Sequence, residues 1–276
     1  MERFEFVPYI YETRQIFTHM SPKSITSKYR VTVLLEGSKN SEHVLANAVE
    51  MARAINATID VLQVKPAIDV VKQESQFSAL DTIYKDDRKT RSKMQRLIQD
   101  IQKGEELPIN YTLVYGNAKS TIKEHLDQEH PDIVVLGKRR SMLGLWSDGL
   151  ADFVVSEANT NVLVMDEDHK FHTFKDLNLG FLGNEVQNKG LEIINDLKRD
   201  SDKPMRLFRI KRHDTAHQPQ SLWQKTVSYE FTEGSNAMDG LVSYVSRTNT
   251  ELLCVPNKSQ AKHLVRKSNV PIFVMA

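Results

Sequence analysis

An α/β fold built on parallel sheet is predicted for this chain by three observations. Short, continuous apolar runs alternate with segments of helical periodicity, most of those runs are apolar throughout, and the whole pattern occurs twice. Strands that are apolar on both faces belong inside a sheet covered by helices on either side. The expected architecture is two tandem five-stranded, mostly parallel sheets with flanking helices.

The first copy starts near Tyr29. The run "VTVLL" (31–35) reads as a strand that closes at Glu36-Gly37-Ser38. Over 40–55, Val44, Ala48, Met51, Ala52 and Ile55 fall on one helical face. "TIDVLQV" (58–64) is strand two, closed by Lys65-Pro66. Met94, Leu97, Ile98 and Ile101 recur at intervals of three and four, marking a helix that Gly104 ends. "LPINYTLVYG" is strand three, residues 121–126 form a short helix, and "DIVVLG" is strand four. A helix over 150–158 and the strand "NVLVM" complete the unit.

The second copy emerges by direct comparison. Sixteen positions separate Gly37 from Arg53, and sixteen separate Gly183 from Arg199. The stretch "VVSEANTNVLVM" matches "LVRKSNVPIFVM", with Asn159, Val164 and Met165 answering Asn269, Val274 and Met275, and Gly116 answers Gly234. Together these matches imply an internal duplication. From Gly137 to Met165 is 28 positions, whereas from its counterpart Pro256 to Met275 is 19, so the second copy is shorter where the first carries Lys138-Arg139-Arg140. The division that follows is an N-terminal extension (1–28), a first domain (29–168) and a second, shortened domain (169–276).

Composition narrows the function classes. Lys and Arg total 37 against 36 Asp and Glu, a balance that offers nucleic acid or anionic membrane no global attraction. The single cysteine, Cys254, excludes an internal disulfide, fits a reducing compartment and reads as core filler within "ELLCVP". No apolar run approaches the roughly 18 residues of a membrane span, and the N-terminus lacks a signal-peptide pattern. A cytoplasmic protein with no membrane span is expected.

Few constellations carry chemistry. His169 and His172 stand beside Asp166, Glu167 and Asp168, without the spacing of a metal site, and the stretch reads as a solvated linker between the copies. No Gly-x-Ser-x-Gly elbow is present, and no catalytic or metal-ligating residue is assigned. Trp146 is expected to pack on the second copy. In the extension, Phe6, Ile10 and Phe17 fall on one face of a short helix whose start Pro8 limits. That segment is expected either to dock on the chain's own sheet or to hold a protein partner.

"VTVLLEGS" followed by a helix, "DVLQV", "YGNAKSTIKEH", "PDIVVLG" and the closing "NVLVM" together resemble the universal stress protein family in its tandem form. The resemblance covers nearly all of residues 29–276. It implies an adenine nucleotide alpha hydrolase-like fold in which two five-stranded units pair through their last strands within one chain. It also implies an adenine-nucleotide site, ATP in one branch of the family and no nucleotide in another. The ATP-binding pattern is an Asp-Gly-Ser turn after strand one and Gly-x2-Gly-x9-Gly-Ser/Thr after strand four. Here the turn reads Glu36-Gly37-Ser38 and Gly137 matches the first glycine, but Arg140 stands at the second. Asp148 and Gly149 fall where the last glycine and hydroxyl belong, with the loop about two residues short.

Those departures have physical weight. A side chain on Arg140 obstructs the close backbone approach that glycine permits. Asp148 caps the following helix well but repels phosphate. Against that, Lys138, Arg139 and Arg140 offer side-chain donors in place of backbone ones, or simply form a solvated turn. The resemblance places any residual pocket in the first domain near Glu36, Gly37, Val64, Gly137, Lys138, Arg140 and Gly149, with Val64 beside the adenine. Three readings stand open: a non-catalytic stress-response sensor or scaffold, an ATP-binding protein with weak hydrolysis, and a regulatory interaction module for a transporter or other partner. A homodimer is compatible with each.

Overall fold

The computed structural model of the 276-residue chain describes residues 13–17, 27–36, 41–66, 76–102, 107–138, 149–166, 169–171, 173–183, 190–211, 223–256 and 258–276, with backbone alone at 13–17 and 76–83. Along the first half run β1 (Thr13–Phe17), β2 (Tyr29–Leu35), α1 (Ser41–Ile55), β3 (Ala57–Lys65), α2 (Gln76–Gln102) and β4 (Ile109–Tyr115). They are followed by α3 (Ala118–Glu129), β5 (Ile133–Lys138), α4 (Gly149–Glu157) and β6 (Asn161–Asp166). The second half holds β7 (Leu179–Leu182), α5 (Leu191–Lys198), β8 (Met205–Lys211), β9 (Thr226–Thr232), α6 (Ala237–Arg247), β10 (Leu252–Val255), α7 (Lys258–Lys267) and β11 (Ile272–Val274).

All of these strands belong to one sheet, in the order β1-β4-β3-β2-β5-β6-β11-β10-β7-β8-β9. Within each half the five repeated strands are mutually parallel and take the same order, β4-β3-β2-β5-β6 and β9-β8-β7-β10-β11. The halves join by antiparallel pairing of the two last strands, Ile272 opposite Val164 and Val274 opposite Val162. The two five-stranded units thus pair through their last strands, as expected, and together form one continuous sheet.

Burial explains the apolar runs. Val31, Val33 and Leu35 enter a core on the α1 face, and Leu34, Val134 and Leu136 enter a second core on the α4 face. Both cores cross the junction, since Phe181, Cys254 and Phe273 join the first, while Leu182, Leu253 and Ile272 join the second. Burying both faces of a strand demands unbroken apolar sequence.

The N-terminal extension departs from the expected helix. Thr13–Phe17 is an edge strand, antiparallel to β4, with Thr13 opposite Leu113 and Phe17 opposite Ile109. Phe6, Pro8 and Ile10 lie outside the described residues. An edge strand is held by backbone pairing, so a helix-like spacing of three apolar residues does not decide its conformation.

The linker differs too. Rather than a solvated crossing, the described residues of this stretch are tied to α1 and the core: the Asn47 amide donates to the His169 carbonyl at 2.7 Å, and Phe174 and Leu177 are buried in the core. Phe171 packs on Phe174 with ring centroids 4.3 Å apart. His172 lies outside the described residues. Nearby, Asp196 of α5 accepts hydrogen bonds from Lys28 (2.6 Å) and the Tyr29 hydroxyl (2.7 Å). Burial alone would raise the Asp196 carboxyl, but those bonds and one from Arg199 hold it below the usual carboxylate range.

Cys254 is fully buried in β10, and burial pushes its thiol pKa up. The folded protein is expected to leave this thiol unmodified by an aromatic disulfide reagent, and urea-unfolded protein to titrate one thiol per chain. Rapid labelling of the native state would contradict the buried placement.

Candidate functional site

In an open α/β sheet, ligands sit beyond the carboxyl ends of the strands where strand order reverses. In the first half that reversal lies between β2 and β5: α1 leaves β2 for one face, and α4 follows β5 on the other. The register sets Leu35 beside Gln63 and Leu34 beside Leu136. Glu36, Val64 and Gly137 consequently meet at one rim, at the ends of three adjacent strands. Glu36 is half-buried, with one carboxylate oxygen shielded from solvent, and Val64 is buried. Gly149 opens α4 on the exposed side, and a Cβ built there would sit 3.4 Å from the Lys119 ammonium, an ordinary contact. Gly37 and Arg140 lie outside the described residues, as do Arg139, Trp146 and Asp148.

Lys138 has a specific destination. Its ammonium, at the end of β5, donates to the Val265 carbonyl and, at 2.7 Å, to the Ser268 carbonyl. Both acceptors close the carboxyl end of α7 in the other half, where helix carbonyls lack partners and the dipole favours a cation. Asp166 approaches the same ammonium at 3.6 Å, with both side chains largely buried. The sequence had grouped Lys138 with the phosphate-binding cations; in the fold its charge is directed into the junction between the halves.

The junction repeats this contact. Lys258, at the start of α7, donates to the Ala158 carbonyl just past α4 at 2.6 Å. Each half thus sends a lysine from the end of its fourth strand, or from just beyond it, to the end of the other half's last helix. Arg266 in the last turn of α7 pairs with Asp152 in the first turn of α4, so helix-end charges match the dipoles as well.

Sequence reasoning passed over two groups at the first-half rim. Lys119, exposed in the first turn of α3, stands beside Gly149 and over the Phe153 ring at 5.6 Å. Its place depends on the Asn117 cap, whose side chain accepts from the Lys119 and Ser120 amides at 3.1 and 3.2 Å. The cap itself was legible as an Asn after a glycine turn. The second group fixes the end of β3 to α2: Lys65 reaches Asp86 at 2.5 Å and Thr90 at 2.8 Å, and the Tyr115 hydroxyl donates to Asp86 at 3.1 Å.

At the amino ends of the strands lies a different opening, a cleft of about 340 Å³ lined by Tyr29, Lys123, His130, Asp132, Glu157 and Asn161. Its polar groups engage one another. Lys123 pairs with Glu157 at 3.0 Å, and Asp132 accepts from the Arg30 amide at 2.8 Å and, through its carbonyl, from Asn161 at 2.9 Å. Among the described residues, no group of three or more His, Cys, Asp or Glu side chains is disposed to hold a metal ion, and no helix is long and apolar enough to cross a membrane.

Comparison with known proteins bears on this arrangement. The model of the universal stress protein family matches residues 29–166, half of the chain. A universal stress protein from Archaeoglobus fulgidus DSM 4304 is similar over 90% of this chain and 96% of its own, with a TM-score of 0.63 at 10% identity. A putative universal stress protein from Pseudomonas aeruginosa UCBPP-PA14 is similar over 89% and 92%, with a TM-score of 0.51 at 9% identity. Both likenesses run through the two halves, and at such identity they concern the fold alone. No curated protein matches the sequence.

Proposed function

The chain belongs to the universal stress protein family, and on that premise we propose that it acts in the stress response as a non-catalytic sensor or scaffold. The observation that carries this reading is the direction of Lys138. The cation that ends the fourth strand is directed to the carbonyls of Val265 and Ser268, in the other half, instead of pointing over the rim. A phosphate competing for that ammonium has to displace two carbonyl bonds and a buried carboxylate. The sequence supports the same conclusion, with Arg140 and Asp148 where a triphosphate cradle uses glycine. In this reading the first-half rim and the junction are coupled, so that a ligand or partner acting near the rim is felt by the packing of α7. The cytoplasm is the compartment in keeping with a single buried thiol.

A second reading, an adenine-nucleotide site with slow hydrolysis, is favoured by the convergence of Glu36, Val64 and Gly137 and by the Lys119 ammonium beside the first residue of α4. Calorimetric titration of the full chain with Mg-ATP separates the two. The sensor or scaffold reading expects dissociation constants no tighter than about 1 mM. Micromolar binding would overturn it and install the nucleotide reading, in which Lys119→Ala and Arg140→Ala then weaken affinity.

A further inference from the structure

The two ends of the sheet are treated differently. In the first half, the outermost repeated strand, β4, has its free side covered by β1, an antiparallel strand from the same chain. The strand in the equivalent place of the second half is β9, and among the described residues nothing pairs with its outer side. The duplicated architecture therefore shows what fits this kind of edge, an extended strand added antiparallel.

The backbone of β9 is arranged for that addition. The Met205 amide donates to the Lys225 carbonyl and the Glu233 amide to the Lys211 carbonyl, so odd-numbered residues direct their N–H and C=O groups inward to β8. By the two-residue alternation of a strand, Ser228, Glu230 and Thr232 direct theirs outward. Among the described residues, none of the usual devices blunts the edge. The strand reads "TVSYEFT", without proline, and its single charge, Glu230, is paired with Lys211 at 2.6 Å.

Its side chains supply an apolar surface. Val227 and Tyr244 are two of the three exposed large hydrophobic residues among those described, at 41% and 39% exposure. Tyr244 packs edge-on against Tyr229 and Phe231, with centroids 5.3 and 5.8 Å apart, so an aromatic patch reaches the open edge.

We propose that β9 is an association edge for a second copy of this chain, the two β9 strands pairing antiparallel about a two-fold axis at Tyr229. That register is self-complementary, as an isologous interface must be. Val227 faces the partner copy's equivalent of Phe231, Tyr229 faces its own equivalent, and Glu230 faces the equivalent of Ser228, so no like charges oppose. Ser228 opposite Glu230 is a hydrogen-bonded pair formed by the outward groups. Val227 opposite Phe231 and Tyr229 opposite Tyr229 are non-hydrogen-bonded pairs, where side chains approach most closely. The result is a continuous sheet through both molecules.

Sedimentation equilibrium of the full chain over micromolar to submillimolar concentrations tests this. The mass is expected to rise with concentration from 31.6 kDa toward twice that value. Ser228→Pro removes an outward donor without touching the ladder to β8, and is expected to weaken association about tenfold or more with an unchanged melting midpoint. Tyr229→Cys is expected to form a covalent dimer on mild oxidation, the native Cys254 being buried. A chain that stays monomeric throughout overturns the proposal. So does association that survives Ser228→Pro, or that gives no Tyr229→Cys cross-link, which would place the interface elsewhere or assign it to a donated β1.

Discussion

Gly180→Val is expected to destabilise the protein by about 3 kcal/mol, read as a lowered urea midpoint in tryptophan fluorescence. Gly180 lies within the buried strand β7. A Cβ placed there would stand 2.8 Å from Thr250 Cγ2, 2.9 Å from Phe208 Cε2 and 3.1 Å from Leu253 Cδ1. All three neighbours are buried, at 4%, 0% and 1% exposure, so none can swing into solvent. The reason for glycine here is space. Gly180→Ala should cost about half as much, and the pair grades the clash by volume. Phe208 is the side chain that fills the place, stacked on Tyr229 with centroids 5.2 Å apart. An unchanged midpoint for the valine variant would show that this layer repacks freely.

Lys138→Met is the second large effect expected, about 3 kcal/mol, because it deletes one partner of a mostly buried ion pair. Two carbonyls, Val265 in α7 and Ser268 just past its end, lose their donor at the same time, and Asp166 loses its nearby cation. The methionine keeps the length and apolar stem of lysine, so the loss reports the ammonium rather than a void. Lys258→Met, whose ammonium serves one carbonyl beyond α4, should cost less. Hydrogen exchange adds the spatial reading: protection in the last turn of α7 should fall in the Lys138→Met protein and hold in the Lys258→Met protein. Equal stability of Lys138→Met and wild type would mean that water replaces the ammonium, and would remove the support for coupling between rim and junction.

How far the sequence discloses this molecule depends on what holds each part. Strands buried on both faces announce themselves, which is why β2, β3, β5 and β6 fall within a residue or two of the runs that predicted them. Helix α3 extends beyond the expected 121–126 to Ala118–Glu129, because Asn117 caps it at one end and His130, at φ 45°, closes it at the other. The burial of Phe174 and Leu177 was hidden by the charged "DEDHKFH" before them. β1 left no pattern, since an edge strand is secured by its neighbour's backbone. At the rim, the positions of Glu36 and Gly137 at strand ends were legible from topology, whereas Val64 entered only through the family resemblance. The aim of the Lys138 side chain was not legible, because its acceptors lie more than a hundred residues further along the chain. The space demanded at Gly180 had no local signature either.

The antiparallel seam between β6 and β11 fixes which way each half looks. Strands are parallel within a half and reversed across the seam, so the strand termini that frame the Glu36 rim and those of the duplicated half lie at opposite poles of the molecule. No single small ligand can bridge them. The two poles are joined through the shared sheet and by the lysines that cross its seam, so the molecule stands back to back with two separate addresses.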